Sequence, residues 1–270
     1  MASHDELLDI ALGIAQRAGE LVRQRRAEGV SVAASKSSPE DIVTFADKES
    51  EALIRSLLAE ARPNDGFFGE ETGAERGTSG LTWVVDPIDG TVNYAYGIPV
   101  YAVSIAVVEG EPDPLTWRAL AGAVVNPALN ETYTATDGGG AFLNGQRLEV
   151  ATGVQLPLAL VGTGFSYSAE RRTHQMDVVR GLIHQVRDIR RIGSAALDLC
   201  SVAAGRLDVY YERGLNPWDL AAGSLIASEA GARVGALDGA RGGRELIIAA
   251  EPGLYDRFAP VLASLGVTEH

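Results

Sequence analysis

Apolar positions recur at spacings of three and four between residues 5 and 26, through Leu8, Ala11, Ala15, Ala18 and Val22. That is the period of an amphipathic helix. Asp5 and Glu6 stand near its start and Arg23, Arg25 and Arg26 near its end, which suits the helix macrodipole. The polar stretch from Ser31 to Glu40, with Ser37-Ser38-Pro39 inside it, predicts a loop. A second helix is predicted from Thr44 to Ala61, stopped by Pro63. Strands follow at Leu81–Val85, Tyr101–Val108, Leu120–Val125 and Glu131–Thr136. Gly138-Gly139-Gly140 and Asn144-Gly145 are hairpin punctuation.

From about Ala151 the pattern changes. It predicts a strand at Leu158–Val161, helices at Ala169–Val186 and Ser194–Ala204, a strand at Leu207–Tyr211, a helix at Pro217–Ala230 and a strand at Leu246–Ala250. Residues 1–150 therefore read as α+β with an antiparallel sheet, and residues 151–270 as α/β. No repeat, low-complexity tract or long linker separates them, so we expect one unit with a cleft between its halves.

Composition narrows the class. The chain has 270 residues, 46% hydrophobic and 22% charged, enough for a full core without disulfides or a structural metal. A single cysteine, Cys200, excludes an intrachain disulfide framework and a Cys-based zinc site. It fits a reducing cytoplasm. The opening residues carry acids and no long apolar run, so no signal peptide is expected. No apolar stretch approaches the ~18 residues of a membrane span. The formal net charge of −13 repels nucleic acid and anionic membranes. It opposes an anionic substrate too, unless bound cations invert the local potential.

Four acidic segments carry candidate chemistry: Asp41–Asp47, Gly69-Glu70-Glu71, Asp86-Pro87-Ile88-Asp89-Gly90-Thr91 and Trp218–Gly223 with Asp219. In the third, an apolar strand ends at Asp86, Pro87 fixes a turn, and Asp89 follows three residues later, so one turn can aim both carboxylates into one space. Gly90 admits a close approach to the backbone, and a helix opening at Thr91 would present free N–H groups to a phosphate. Acids and an anion at one spot repel unless cations lie between them, and Mg²⁺ prefers such oxygen ligands. A plain Asp-Pro turn with a capping Asp gives the same pattern. Asn216-Pro217 is a good helix start, which puts Asp219 in a first turn, where acids are ordinary. Two adjacent acids at a strand end, as at Glu70-Glu71, usually mark a solvated edge. The histidines form no ligand spacing. His174 and His184, among Arg171, Arg172, Arg180 and Arg187, read as a solvated helix face, with a partner-binding patch as the alternative.

Taken in order, these segments resemble the signature of the inositol monophosphatase family. Lys36 precedes Asp41–Asp47, then come Gly69–Glu71, Asp86–Asn93 and Trp218–Gly223, and Gly193–Leu197 looks like the family's substrate loop. Tyr94 and Tyr96 stand where the family often has an aromatic and a His. The resemblance implies a layered αβαβα sandwich of the inositol monophosphatase and fructose-1,6-bisphosphatase type. It implies that Glu70, Asp86 and the carbonyl of Ile88 hold one Mg²⁺, that Asp86, Asp89 and Asp219 hold a second, and that Glu70 helps a third. Asp47 and Thr91 would orient the attacking water, with Glu70 also catalytic through its metals. Gly90 and Thr91 amides would hold phosphate oxygens, and Ala195, Glu212 and Asp219 would line the alcohol.

The implied activity is Mg²⁺-dependent hydrolysis of a small phosphate monoester by in-line attack of a metal-activated water, with myo-inositol 1-phosphate first. Histidinol phosphate, fructose 1,6-bisphosphate and 3′-phosphoadenosine 5′-phosphate are the alternatives. A homodimer and sensitivity to lithium are further family expectations. A regulatory binding protein acting on transcription or ribosome partners is the rival class.

Overall fold

The structure, a computed structural model, describes residues 2–35 and 42–269. Lys36 and Asp41 lie outside the described residues. Helix α1 (His4–Glu28) opens on a capping box, Ser3 with Glu6, and buries Leu7, Ala11, Ala15, Ala18 and Val22 along one face. Strands β1 (Val32–Ser35) and β2 (Ile42–Thr44) pair, and α2 (Phe45–Ala61) follows. So a strand occupies part of the stretch expected to be a loop. The strand's four residues, Val-Ala-Ala-Ser, are short enough to be lost within the polar stretch around them.

An eight-stranded sheet comes next, from β3 (Gly66–Gly69), β4 (Gly73–Glu75), β5 (Leu81–Asp89), β6 (Ala102–Glu109), β7 (Arg118–Asn126), β8 (Glu131–Thr136), β9 (Gly140–Leu143) and β10 (Gln146–Arg147). The short helix α3 (Thr91–Tyr96) links β5 to β6. The strand order is β10-β9-β8-β7-β6-β5-β3-β4. Every neighbouring pair is antiparallel except β3 with β5. The expected antiparallel sheet is therefore mixed at that one joint.

The remainder contributes β11 (Leu160–Thr163), α4 (Ala169–Leu182), β12 (Asp188–Arg190), α5 (Ala195–Ala203), β13 (Val209–Glu212), α6 (Pro217–Glu229), β14 (Arg233–Gly235), β15 (Ile247–Ala250) and α7 (Pro252–Ser264). Its five-stranded sheet runs β12-β11-β13-β15-β14, parallel across β12-β11-β13 and antiparallel beyond. A 3-10 turn at Leu156–Leu158 delays β11 by two residues from its expected start. Helix α4 stops four residues short of Val186, which is buried from a turn, so its apolar side chain mimicked one more helical repeat.

Alternation along each strand sorts side chains into three cores. Val85, Val103, Ile105 and Val107 face α1 and α2. Val84, Ala102, Ala106 and Val108 face the other way, against α5 and α6, which meet Tyr210, Ile247 and Ala249 of the second sheet. Val209, Tyr211, Ile248 and Ala250 turn outward onto α4 and α7. Both faces of both sheets are thus covered, giving the αβαβα sandwich expected. Small residues permit the middle layer: a Cβ on Gly122 of β7 would lie 3.2 Å from Ala222 of α6. Among the described residues, no helix is long and apolar enough to cross a membrane.

Candidate active site

All nine residues of β5 are buried, which is why its sequence is apolar up to its acids. In a regular strand Asp86 and Asp89 would point to opposite faces. The pairing with β6 slips between them: Asp86 faces Ser104 and Asp89 faces Ala102. One extra residue in β5 makes a bulge that returns both carboxylates to one side. Asp86 Oδ1 accepts from the Ile88 amide at 3.0 Å, fixing the turn. Gly90 then sits at φ +91°, and a Cβ there would lie 2.9 Å from the Val100 carbonyl oxygen, so glycine is needed on both counts.

Asp219 arrives from another part of the chain. It is the third residue of α6, and its carboxylate accepts from the Asn216 amide at 2.6 Å in a capping box. Asp86, Asp89 and Asp219 each offer an oxygen within 4.8 Å of the others. Glu70 follows β3, whose parallel pairing to β5 carries it alongside; its amide donates to the Val85 carbonyl at 3.2 Å, and a hydrogen bond joins its carboxylate to Asp86.

Electrostatics follow from this crowding. Burial, then Glu70, Asp89 and Asp219, push the Asp86 carboxyl well above its ordinary range. Burial, then Asp89 and Glu70, do the same to Asp219. Asp89 is raised to about 6, mainly by burial, held back by the Ser194 hydroxyl at 2.6 Å and the Ala196 amide at 2.7 Å. The all-oxygen donor set suits a hard divalent cation, and a cation between the carboxylates would relieve the repulsion that raises them. These residues fit a metal such as Mg²⁺.

Asp47 and Thr91 meet beside this cluster. Asp47 is the third residue of α2, and its Oδ2 accepts from the Thr44 amide at 2.7 Å and from the Thr44 hydroxyl. Burial raises it to about 6. Thr91 Oγ1 lies 3.1 Å from Asp47 Oδ1 and 3.0 Å from the Ile88 carbonyl oxygen, and its one proton can serve either. Ala195 opens α5 next to Ser194. Glu212 ends β13; the Tyr210 hydroxyl donates to its Oε2 at 2.6 Å, and burial lifts it to about 7. A side chain at Gly164 would collide with that carboxylate.

The sequence placed Ser194 in the substrate-loop motif without its bond to Asp89, and it gave Glu51 and Ser50 no part in the site. Ser194 caps α5 and binds Asp89, so it ties the substrate-loop motif to the carboxylate cluster. Glu51 is buried, and its Oε2 accepts from the Glu71 amide at 2.8 Å, while Ser50 donates to the Pro87 carbonyl at 3.2 Å. The signal for Glu51 was its spacing of four from Asp47, an acid on the apolar face of α2. Arg171, on the exposed helix face expected there, and the half-buried His174 line a shallow open pocket with Arg213 and Arg244. Trp218 packs edge-on against Phe68, with ring centroids 5.3 Å apart.

The profile of the inositol monophosphatase family matches residues 3–265. The chain belongs to that family. It is a hydrolase of the phosphatase class. Inositol-1-monophosphatase SuhB of Mycobacterium tuberculosis is 46% identical over 275 residues, covering 95% of this chain and 93% of that protein. The solved Mycobacterium tuberculosis SuhB superposes with a TM-score of 0.83 at 43% identity, covering all of both chains. Nus factor SuhB of Escherichia coli K12 is 41% identical, covering 83% of each. Inositol monophosphate-bound SaIMPase-II matches at TM-score 0.77 and 26% identity, covering 98% of each chain.

Proposed function

We propose that this inositol monophosphatase family member hydrolyses a small phosphate monoester in a Mg²⁺-dependent reaction, with myo-inositol 1-phosphate the preferred substrate. The observation that carries the reading is the convergence of Asp86, Asp89 and Asp219 on one small volume, with Glu70 bonded to Asp86. The inositol monophosphate bound by SaIMPase-II supports the substrate class. We place the site in the cleft between the two sheets, residues 1–150 supplying most of the carboxylates and residues 151–270 the alcohol side.

Glu70, Asp86, Asp89, Asp219 and the Ile88 carbonyl would hold the ions. Bound Mg²⁺ supplies charge neutralisation of the ester and lowers the pKa of a coordinated water. The chain does the rest. Gly90 and Thr91 amides hold the phosphoryl oxygens. The Thr91 hydroxyl, polarised by Asp47, orients water for in-line attack, since phosphoryl transfer needs position and charge stabilisation more than a covalent intermediate. Ala195, Glu212 and Asp219 fix the alcohol. Ser194 holds Asp89 in place.

Phosphate release from inositol 1-phosphate, histidinol phosphate, fructose 1,6-bisphosphate and 3′-phosphoadenosine 5′-phosphate tests the reading. We expect the first to turn over fastest and all turnover to stop on chelation; full activity in excess EDTA defeats the metal assignment. From the family we also infer a homodimer and inhibition by lithium, and a monomer mass by light scattering or unchanged turnover in lithium would refute each. A second, regulatory role is supported by the Escherichia coli relative's name. Partner capture that survives loss of the carboxylate cluster would separate that role from catalysis.

A further inference from the structure

The signature segment Asp86–Asn93 ends on a residue that the phosphatase reading leaves without a task. Asn93 is buried and lies on α3, two residues after Thr91. Its side-chain amide donates twice. Nδ2 gives one proton to the Val100 carbonyl at 2.8 Å, seven residues on, and one to the Ile192 carbonyl at 2.9 Å, 99 residues on. The first bond folds the chain back after α3. The second crosses from residues 1–150 to residues 151–270, onto the loop that leads into α5. An amide nitrogen carries two protons, and here both hold backbone carbonyls.

That loop meets the carboxylate cluster at its other end. The Ser194 hydroxyl donates to Asp89 at 2.6 Å and the Ala196 amide at 2.7 Å, and Ala195 lies between these contacts. The phosphate side is equally near. A Cβ on Gly90 would lie 2.9 Å from the Val100 carbonyl oxygen, 3.1 Å from the Gly193 carbonyl oxygen and 3.3 Å from the Ser194 Cβ. Gly193 itself sits at φ +99°, and a Cβ there would lie 2.9 Å from Asn93 Nδ2, so the loop backbone rests on the Asn93 amide. The turn at Gly90, the residues before β6 and the loop before α5 therefore meet at one point. Asn93 bonds the second to the third, from the helix that follows the first. Asp89 holds one flank of the loop, and that contact acts on a carboxylate of the cluster. Asn93 holds the other flank, and that contact acts on the backbone leading into Ala195.

We propose that Asn93 is a positioning residue. It sets the gap between the phosphate-holding amides of Gly90 and Thr91 and the alcohol-lining Ala195, and so governs which alcohols the ester carries. The rate at a phosphoryl group depends on holding both halves of the ester in register. The inference rests on the phosphatase reading and adds to it a determinant of substrate choice.

The test measures kcat/KM for two esters: whichever of the four esters above wild type turns over fastest, and p-nitrophenyl phosphate, whose flat phenol has no hydroxyls for the loop to seat. Loss of folded enzyme lowers both rates alike and cancels in their ratio. Asn93→Asp keeps the shape, but a carboxyl gives one proton at most. Asn93→Ala removes the amide, and Gly193→Ala disturbs the same contact from the loop, so the result does not hang on the folding of one variant. We expect the ratio to fall about tenfold in each, the effect of one hydrogen bond on alignment. In the Asn93 variants the Mg²⁺ concentration for half-maximal p-nitrophenyl phosphate turnover should stay at the wild-type value, because Ser194 still holds Asp89. An unchanged ratio overturns the proposal, whether or not total activity falls, and leaves the phosphatase reading standing. A ratio that falls together with a raised Mg²⁺ requirement also overturns it, since the effect then runs through Asp89. Wild type that cleaves p-nitrophenyl phosphate and none of the four esters removes the alcohol seat alone, and cleavage of neither removes the phosphatase reading with it.

Discussion

Ser194 donates its hydroxyl to Asp89 at 2.6 Å across 105 residues of sequence. The same hydroxyl oxygen accepts from the Leu197 amide at 3.3 Å, so one side chain caps α5 and fixes a carboxylate of the cluster. The bond joins the helix layer between the sheets to the bulge at the end of β5.

Ser194→Ala removes both contacts. Loss of a helix cap and of a buried hydrogen bond to an acid should lower stability by about 1–2 kcal/mol. Asp89 would also lose its orientation, so the Mg²⁺ concentration for half-maximal turnover should rise. Ser194→Thr keeps the hydroxyl and should recover much of both. Chemical denaturation and a Mg²⁺ titration of turnover decide it; a stability loss with unchanged Mg²⁺ dependence would leave Ser194 only a cap.

Thr91→Val keeps the branched shape and removes the hydroxyl bonded to Asp47. Folding should hold, because Thr91 is only half-buried. Turnover should fall at least about 10²-fold, the scale of a lost proton-positioning group. KM should move little, since the amide at Thr91 remains. A fall in turnover below tenfold would take the Thr91 hydroxyl out of the reaction.

How much of this was legible in the sequence depended on distance along the chain. Asp86 and Asp89 could be read as partners because a single turn joins them, and Asp219 because a cap fixes its place in α6. The bulge that puts Asp86 and Asp89 on one face was not visible, since strand register depends on β6. Family resemblance ordered the separate segments; spacing alone left each with an ordinary structural explanation. The pocket lined by Arg171, Arg213 and Arg244 was illegible for the same reason as Ser194 with Asp89: its members come from α4, the end of β13 and the loop before β15. Helix α7 was missed because Pro252, Gly253 and Pro260 resemble breakers, whereas Pro252 stands in the first turn and Glu251 caps it through the Gly253 and Leu254 amides.

Glu212 gives a pH prediction. Burial raises it from 4.5 to about 7, with Tyr210 and Arg191 opposing and Asp89 adding. A buried acid raised in the folded state favours folding fully below its unfolded value, and that contribution is lost as pH rises through the folded value. Without metal, the protein should therefore lose stability between about pH 4.5 and 7. Glu212→Gln should remove that part of the slope while the slopes from Asp47 and Asp89 remain. Melting temperatures of both proteins across the window, in chelator, test this; parallel curves would mean Glu212 is solvated.

Asp86→Asn separates the metal reading from the plain-turn reading. Without metal, burial and three neighbouring acids push the Asp86 carboxyl well above its ordinary range, toward the neutral form, and asparagine is a neutral group of the same shape. Its amide oxygen can still accept from the Ile88 amide, as Asp86 Oδ1 does at 3.0 Å. Metal-free melting should stay level or rise slightly. In Mg²⁺ the two proteins diverge. Wild type should gain a melting shift as the carboxylates release protons and bind the cation, and the variant, lacking the charge meant to lie between two ions, should lose most of it. Turnover should fall by at least about 10²–10³-fold, the cost of removing one charge-stabilising element. If Asp86 only shaped a turn, asparagine would serve as well, and turnover and the Mg²⁺-induced shift would both survive. Turnover and melting, each with and without Mg²⁺, settle the choice, and a near wild-type rate in the variant would remove the central ligand of the proposed site.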